Sequence, residues 1–284
     1  MRPGCEDTRW PPVVTVFGSC RVVTPGSMLR AAGKLRLNQR NIFGFVHNAR
    51  EITQQFRIVT GDLQPASRLL PFLNIPPRWT APEAAALDRF HADFAETDVF
   101  VVEISSIRII QFKSLFLQIH RTREILAPGE DQQAWWRKLI RSGENDRDLI
   151  LPHLTDPVQI EIAGGLASVE QTVQEVRREV LRIKRFLRKP VLFVTTFNCD
   201  YKRAPIPQRT VIAQALSAFA DSPDCAVFDP TQAVLDRGLP EAVRDLGHYT
   251  EAFEAEIAER LMESLAGLLA RQGLRTGTGT GTPA

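Results

Sequence analysis

The chain has 284 residues, of which 44% are hydrophobic and 24% charged, a balance typical of a folded globular protein rather than a disordered one. Thirty-five basic residues nearly cancel 33 acidic ones, and the resulting net charge of +2 argues against a nucleic-acid partner. No stretch approaches the roughly 18 apolar residues of a membrane span, and the N-terminus, MRPGCEDTRWPP, lacks the apolar core of a signal peptide, so we expect a cytoplasmic protein without a membrane span.

Five apolar runs predict strands that are buried on both faces, as in a parallel sheet. Each run ends in small or polar residues or is followed directly by them, which is typical of a strand that enters a loop at the sheet edge. In chain order the predicted strands are Val13–Phe17, Asn41–Asn48, Asp98–Ser106, Pro190–Phe197 and Cys225–Thr231.

Helical patterns separate these runs. Pro25 is expected to open the first helix, and AREITQQF predicts the second. The Pro-rich stretch from Gly61 to Pro82 is expected to wrap the surface. Apolar residues at spacings of three and four indicate a helix with one buried face. The further predicted helices are Ala84–Phe94, Ser168–Lys189 and Thr250–Arg271.

Strands that alternate with helices predict a three-layer α/β/α fold with a parallel sheet. We expect a single α/β domain over residues 1–271, with a helical insertion at about 111–189. The Gly-Thr repeats of residues 272–284 predict a disordered tail. The basic residues of the helix in the insertion indicate either an anionic partner or a solvated face.

The remaining composition argues against metal and nucleotide motifs. The cysteines, Cys5, Cys20, Cys199 and Cys225, have no paired spacing, which predicts neither a disulfide framework nor a zinc site. The five histidines are scattered, and no Gly-rich loop has the P-loop or dinucleotide spacing. We therefore expect no metal ion and no required cofactor, and no feature of the sequence indicates an oligomeric state.

Ligands of an open parallel sheet bind beyond the C-terminal ends of the strands, so the polar residues there are the candidate site. The Asp-x-x-His pair Asp245 and His248 precedes the last predicted helix. At or directly after the ends of the first four predicted strands lie Ser19, Cys20 and Arg21, then Asn48, then Ser105 and Ser106, and then Asn198. Together with Asp245 and His248, these residues supply a nucleophile, a base, an orienting group and several hydrogen-bond donors.

A cysteine at the start of a helix has the chemistry of a nucleophile. At the turn into the first helix, the helix dipole and unpaired backbone N–H groups favour the Cys20 thiolate and can stabilise an oxyanion. His248 would accept the thiol proton, and Asp245 would orient the imidazole ring. Two alternatives remain open: Ser19 as the nucleophile, and Cys20 as a small buried apolar residue.

The order of these two motifs resembles that of the SGNH (GDSL-type) hydrolases. In that family the first motif follows strand one, and Asp-x-x-His precedes the C-terminal helix. Here FGSCR stands at the first motif, with Cys20 at the serine position, and DLGHYTEAF stands at the last. The likeness is closest to the branch with cysteine at that position, which includes capsular polysaccharide biosynthesis enzymes carrying Gly-Asn-Cys-Gln. It covers residues 13–110 and 190–265 but not the insertion.

The resemblance implies a flavodoxin-like (SGNH hydrolase-like) fold and acyl transfer or ester hydrolysis on a glycan or glycan precursor. The oxyanion-hole Asn of that family is absent, because Glu103-Ile104-Ser105-Ser106 stands at its position. Ser105 or Asn48 would then donate to the oxyanion beside the N–H of Cys20. A cysteine in place of serine favours transfer, because a thioester passes readily to a second acceptor.

The expected partner is a small-molecule or glycan substrate. Arg21 would bind a carboxylate or phosphate on it, and Ser106 and Asn198 would add polar contacts. Acyl-CoA is a possible donor, and the basic helix of the insertion could meet its phosphates. The alternative reading is a non-catalytic carbohydrate-binding or scaffold protein on the same fold.

Overall fold

The computed structural model describes residues 11–38, 44–75 and 91–273. In these residues the strands are β1 (Val13–Phe17), β2 (Arg36–Leu37), β3 (Val99–Ile104), β4 (Arg108–Phe112), β5 (Leu115–Leu117), β6 (Leu166–Glu170), β7 (Val191–Thr195), β8 (Cys225–Phe228), β9 (Val243–Asp245) and β10 (His248–Tyr249). The α-helices are α1 (Cys20–Ala31), α2 (Ala49–Val59), α3 (Ile119–Leu126), α4 (Glu130–Ser142), α5 (Arg147–Ile150), α6 (Pro157–Gly165), α7 (Val173–Leu187), α8 (Pro207–Ser217), α9 (Thr231–Arg237), α10 (Leu239–Ala242) and α11 (Glu251–Arg271). Residues 91–96 are also helical, and 3₁₀ helices span Ser67–Leu73 and Leu151–His153.

The chain divides into two compact units. The first contains Met1–Arg40, His91–Ser105 and Leu187–Ala284, and the second contains Asn41–Phe90 and Ser106–Phe186. Most of the insertion predicted at 111–189 therefore falls in the second unit, together with the segment that carries α2. Residues 274–284 of the predicted tail lie outside the described residues.

The first unit contains the predicted parallel sheet. Its strand order is β2-β1-β3-β7-β8, and every pair of neighbours is parallel. Counting only the strands of this sheet, the order is 2-1-3-4-5, which is that of flavodoxin-like folds. The α/β fold with a flavodoxin-like parallel sheet is confirmed.

Helices cover both faces of this sheet, which gives the three predicted layers. On one face, α1 and α11 pack against alternate residues of β1, β3 and β7 in one apolar cluster. On the other face, Phe94 of the helical segment 91–96 packs against Phe17 and Phe100, and Phe219 packs against Phe193. The β1, β3 and β7 strands are buried throughout because both faces are covered.

Two predictions about the start of this unit are wrong. The first helix begins at Cys20 rather than Pro25, because Ser19 acts as its N-cap and its Oγ accepts from the Arg21 N–H. The second strand is Arg36–Leu37, not Asn41–Asn48. Gly33, with φ of +69°, ends α1 in the left-handed region, so the chain returns to the sheet edge beside β1 within a few residues. Residues 41–43 lie outside the described residues, and 44–48 form no strand.

The second unit contains a three-stranded antiparallel sheet of order β5-β4-β6 among its helices. The helix predicted from Ser168 begins instead at Val173, because Ser168–Glu170 pairs with β4. Thr172 and Glu175 then form a capping box: the Thr172 N–H donates to the Glu175 carboxylate at 2.8 Å, and the Glu175 N–H donates to Thr172 Oγ1 at 3.3 Å. The predicted second helix is confirmed as α2.

The other predicted elements are confirmed with small changes at their ends. The strands predicted at 98–106, 190–197 and 225–231 appear as β3, β7 and β8, and the last predicted helix appears as α11. In the stretch predicted to wrap the surface, the 3₁₀ helix Ser67–Leu73 buries four of its apolar residues. Among the described residues no helix is long and apolar enough to cross a membrane.

At Gly18, after the end of β1, the packing leaves no room for a side chain. A Cβ there would lie 2.5 Å from Val22 Cγ2 and 2.7 Å from Glu103 Cβ. We expect Gly18→Ala to lower the free energy of unfolding by about 1–3 kcal/mol, since overpacking forces neighbouring groups to move. Urea denaturation followed by circular dichroism measures the change.

Gly267→Ala is the matched control. Gly267 lies within α11, and an added Cβ there has no heavy atom within 4 Å. We expect this variant to be as stable as wild type or more stable by up to about 1 kcal/mol, because alanine favours a helix interior. Equal stability of the two variants would contradict the tight packing at Gly18.

Candidate active site

Cys20 is the first residue of α1 and directly follows the end of β1. Its thiol is free and partly exposed. Ser19, buried before it, holds an extended conformation, and its carbonyl accepts from the Val22 and Val23 N–H groups at 3.2 and 3.1 Å. Within the described residues the Cys20 N–H has no hydrogen-bond partner. Cys20 therefore combines a reachable thiol with an open backbone donor at the positive end of a helix.

The turn that carries Cys20 is held by a buried carboxylate. Glu103 on β3 is 0% exposed, and its two oxygens accept from the Ser19 N–H at 2.6 Å and from Arg21 Nε at 2.7 Å. Burial alone would raise the pKa of Glu103, but the Arg21 charge and the hydrogen bonds from Ser19 lower it below its usual range. Burial opposes the charge of Arg21, yet the Glu103 carboxylate raises the pKa of Arg21. Both groups are therefore ionised, and together they connect the residues before and after Cys20 to the sheet.

His248 and Asp245 lie on a tight hairpin. Strands β9 and β10 pair antiparallel across the turn at Leu246 and Gly247, so that Asp245 lies opposite His248. Asp245 Oδ1 accepts from the Gly247 N–H at 2.6 Å, and His248 Nδ1 lies 2.9 Å from each carboxylate oxygen. The His248 contact and the Gly247 N–H lower the pKa of Asp245. The side chains are 50% and 58% exposed for His248 and Asp245, so the dyad is open to solvent.

Two arginines hold the turn of this hairpin by its backbone. Arg21 Nη1 donates to the Gly247 carbonyl at 2.9 Å, and Arg209 Nη2 donates to the Leu246 carbonyl. Arg209 also donates to the Phe197 carbonyl at 2.6 Å and lies 4.7 Å from the centre of the Phe197 ring. Burial, with the nearby Arg21 charge, lowers the pKa of Arg209 to about 10.

The contact between Arg21 and Gly247 brings the two predicted motifs together. Arg21 follows Cys20 in the chain, and Gly247 precedes His248. One hydrogen bond therefore joins the neighbour of the candidate nucleophile to the neighbour of the candidate base. The bond thus links the turn that carries the Cys20 thiol to the hairpin that carries the His-Asp dyad.

Two more of the candidate residues lie in the first unit. Ser105 follows β3 and is partly buried. Asn198 follows β7, where its Nδ2 donates to Thr210 Oγ1 at 3.0 Å and its Oδ1 accepts from the Ile206 N–H at 2.9 Å. The Asn198 amide thus organises the loop that leads into α8.

Asn48 and Ser106 belong to the second unit. Asn48 was predicted at the end of a strand of the parallel sheet, but it caps α2 instead. Its Oδ1 accepts from the Glu51 N–H at 2.9 Å, and its Nδ2 donates to the Glu51 carboxylate at 2.7 Å. Burial raises the pKa of that carboxyl group to about 8. Ser106 Oγ accepts from the Arg108 N–H at 3.0 Å. Asn48 Nδ2 also donates to the Arg108 carbonyl at 3.3 Å, so both side chains make contacts that stabilise the second unit.

The sequence analysis missed the residues that frame the site. Glu103 carried a signal, because a charged residue inside the apolar run VFVVEI must find a buried partner. No signal in the sequence pointed to Arg209, because a basic residue near the start of a helix is common on a solvated face. The role of Gly247 depends on its backbone carbonyl, which no sequence pattern reveals.

The chain is an α/β protein with a flavodoxin-like sheet, a cysteine at the first helix N-terminus and a His-Asp dyad near the last helix. The sequence profile of the TviD N-terminal domain matches residues 12–264, and the chain belongs to that family. The Vi polysaccharide biosynthesis protein TviD of Salmonella typhi is 25% identical over 276 residues, which cover 89% of this chain and 31% of that protein. The chain thus spans about a third of the length of this relative.

A solved structure gives a weaker likeness. An alpha/beta hydrolase enzyme from the metagenome of Lake Arreo, Spain, matches with a TM-score of 0.42 and 13% identity, covering 93% of this chain and 96% of that chain. A match at this TM-score supports no conclusion about the chain, and the fold assignment depends on the parallel sheet itself.

Glu103→Gln tests the buried ion pair. The variant leaves the Arg21 guanidinium buried without a counter-charge, so we expect a loss of about 3–5 kcal/mol in the free energy of unfolding. Because the folded state lowers the pKa of Glu103, its contribution is complete above the unfolded pKa of about 4.3 and is lost as pH falls through the folded pKa. Urea denaturation between pH 3 and 7 should show this acid loss in wild type and a smaller one in the variant.

Glu259→Gln is the control for this test. Glu259 pairs with Lys34 at the surface of the same unit. An exposed pair contributes about 0–1 kcal/mol, and we expect the control to unfold nearly as wild type does. If Glu103→Gln were no more destabilising than this control, the buried pair would not be the anchor of the site.

Proposed function

We propose that the chain catalyses acyl transfer or ester hydrolysis on a glycan or glycan precursor, with Cys20 as nucleophile, His248 as general base and Asp245 as the residue that orients His248. The single observation that supports the proposal is the Arg21–Gly247 hydrogen bond, which joins the residue after Cys20 to the residue before His248. The 25% identical relative is named for polysaccharide biosynthesis, which supports a glycan substrate. The resemblance to the cysteine branch of the SGNH hydrolases supports the acyl chemistry.

In the first half-reaction His248 Nε2 takes the proton of the Cys20 thiol, and the thiolate attacks the acyl carbonyl. Asp245 bonds to Nδ1, so the proposal assigns the other ring nitrogen, Nε2, to accept the thiol proton. The tetrahedral intermediate collapses when the bond to the donor group breaks, and that group leaves with the proton from His248. The product is a thioester on Cys20.

In the second half-reaction an acceptor hydroxyl gives its proton to His248 and attacks the thioester carbonyl. A glycan hydroxyl gives transfer, and water gives hydrolysis. The carbon–sulfur bond then breaks, and the thiolate recovers the proton from the imidazolium. The same dyad therefore serves as base and then as acid in each half-reaction.

The oxyanion needs donors that are already in place. The Cys20 N–H fits this role because it has no partner in the described residues and lies at the positive end of α1. Ser105, at the end of β3, is the second donor in the proposal. Arg21, expected to bind substrate, instead donates to Glu103 and Gly247, so its proposed role is to position the site. Acyl-CoA is the proposed donor, which agrees with the expected cytoplasmic location.

The nucleophile is tested by incubating wild type, Cys20→Ala, His248→Ala and Asp245→Asn with p-nitrophenyl acetate and with acetyl-CoA. We expect an acyl-enzyme of one acetyl mass in wild type and none in Cys20→Ala. Loss of the general base should slow acylation about 10²–10⁴-fold in His248→Ala. Acylation of Asp245→Asn should be slower as well, because a neutral Asn does not stabilise the positive charge of the imidazolium. Mass spectrometry of the intact protein and release of p-nitrophenol measure both steps.

Cys199→Ala is the matched control, since Cys199 is a free but buried cysteine of the same unit. It should acylate at the wild-type rate. If wild type and Cys20→Ala show the same acylation and product release with both donors, the catalytic proposal fails, and the hypothesis of a non-catalytic glycan-binding protein takes its place.

Arg209 is tested as a positioning residue. Arg209→Met removes the donor to the Leu246 carbonyl and frees the turn before His248, and we expect kcat to fall about 10–100-fold with little change in KM. Arg209→Lys should recover part of the rate because it keeps one donor. Arg260→Met, which removes a half-exposed arginine of α11, is the control and should leave both constants unchanged. A rise in KM alone would show that Arg209 binds substrate instead.

A further inference from the structure

The second unit has a cleft with no part in the proposed Cys20 chemistry. It has a volume of about 570 Å³ and is lined by α2, α7 and the strand β5 with the residue before it. This volume lies within the range of about 300–1,000 Å³ that is typical of small-molecule sites. The cleft is therefore large enough for a ligand of ordinary metabolite size.

Four arginines line this cleft, two on each helix. Arg50 on α2 pairs with Glu175 at 3.0 Å, and Arg182 on α7 pairs with the buried Glu179 at 2.8 Å. Arg57 and Arg178 form no ion pair within the described residues. The paired arginines are held in place by the protein, and the other two keep their guanidinium donors for a ligand.

The charge of the cleft is positive. Its four arginines face Asp62 and Glu179, and a third carboxylate, Glu175, pairs with Arg50, which leaves a surplus of one positive charge. Glu179 is already neutralised by Arg182 and accepts from the Thr53 hydroxyl at 3.1 Å, and Asp62 accepts from the Thr60 hydroxyl at 2.6 Å. The surplus charge is therefore available for an anionic ligand rather than cancelled within the cleft.

Aromatic rings form part of the same wall. The Arg50 Cζ atom lies over the Phe116 ring, 5.4 Å from the ring centre. Phe186 stacks on Phe56, with the two ring centres 4.1 Å apart. Both Phe116 and Phe186 are only partly buried. A planar base can pack against such a wall while its phosphates meet the arginines.

We propose that this cleft binds the nucleoside diphosphate part of a substrate. Two sources share that chemistry: the nucleotide of an acyl-CoA donor and the nucleotide of a sugar-nucleotide precursor. A pyrophosphate concentrates several negative charges in one small group, which suits a cleft lined by four arginines, two of them without an ion pair in the described residues. An acidic oligosaccharide carries at most one carboxylate per sugar ring and matches this concentrated charge less well. The inference rests on the proposed function only for its choice of these two sources.

The test is calorimetric titration of the full chain with ADP, and with adenosine as the ligand that lacks phosphates. We expect ADP to bind and adenosine to bind at least about tenfold more weakly, because charge-assisted hydrogen bonds supply most of the affinity. Arg57→Gln with Arg178→Gln should raise the Kd for ADP about tenfold or more, and each single variant should raise it in part. Both side chains are exposed, so the variants are expected to fold.

Arg141→Gln is the matched control, because it removes the same charge from an exposed arginine of this unit that lies outside the cleft. It should bind ADP as wild type does. Tighter binding of CoA than of UDP-N-acetylglucosamine would identify the donor as the ligand, and the reverse order would identify the sugar nucleotide. The inference is overturned if ADP does not bind, if the double variant binds ADP with unchanged Kd, or if tetragalacturonate binds more tightly than ADP with the same arginine dependence.

The outcome is separable from that of the proposed function. Binding of ADP needs no thiol, so Cys20→Ala should bind ADP with the wild-type Kd. Arginine-dependent ADP binding without any acylation of Cys20 would overturn the catalytic proposal and leave the cleft assignment standing. Acylation of Cys20 by p-nitrophenyl acetate without ADP binding would do the opposite.

Discussion

The buried ion pair between Glu103 and Arg21 is the interaction on which the candidate site depends. Burying two charges is costly, and the cost is offset only when every oxygen and donor finds a partner. Here Glu103 accepts from the Ser19 N–H and Arg21 Nε, while Arg21 Nη1 donates to the Gly247 carbonyl. Strand β3, the turn before α1 and the β9–β10 hairpin therefore meet at one pair of side chains. The absence of a side chain at Gly18 is what lets the Glu103 carboxylate lie against that turn.

This anchor explains how a solvent-exposed dyad can keep a defined position. An exposed His-Asp contact is weak by itself, since water competes for both partners. The dyad is placed instead by its backbone, because Arg21 and Arg209 hold consecutive carbonyls of the turn between Asp245 and His248. Sites built on a rigid, hydrogen-bonded frame hold their geometry better than sites on free loops.

The sequence predicted the parts of the fold that follow from local pattern. Runs such as VVTVF and PVLFVTTF indicated buried parallel strands, and Cys20 was located directly after the first of them, whereas the β9–β10 hairpin that carries His248 was not predicted. The second strand was misplaced because Arg36–Leu37 is only two residues long and is specified by its pairing with β1, not by apolar residues. Asn48 was misassigned together with that strand: the Asn48–Glu51 cap of α2 is a local pattern, but the apolar residues before Asn48 predicted a strand that ends there. The arginine frame could not be predicted, because the hairpin contact joins Arg21 to a carbonyl 226 residues away.

The extent of the family match bears on the role of the second unit. The chemical motifs all lie in the first unit, and an insertion with no motif would ordinarily be read as an addition peculiar to one protein. The TviD N-terminal domain profile nevertheless spans residues 12–264 and so includes both units. On the two proposals, Cys20 in the first unit performs the acyl chemistry, and the arginine cleft of the second unit binds a nucleotide.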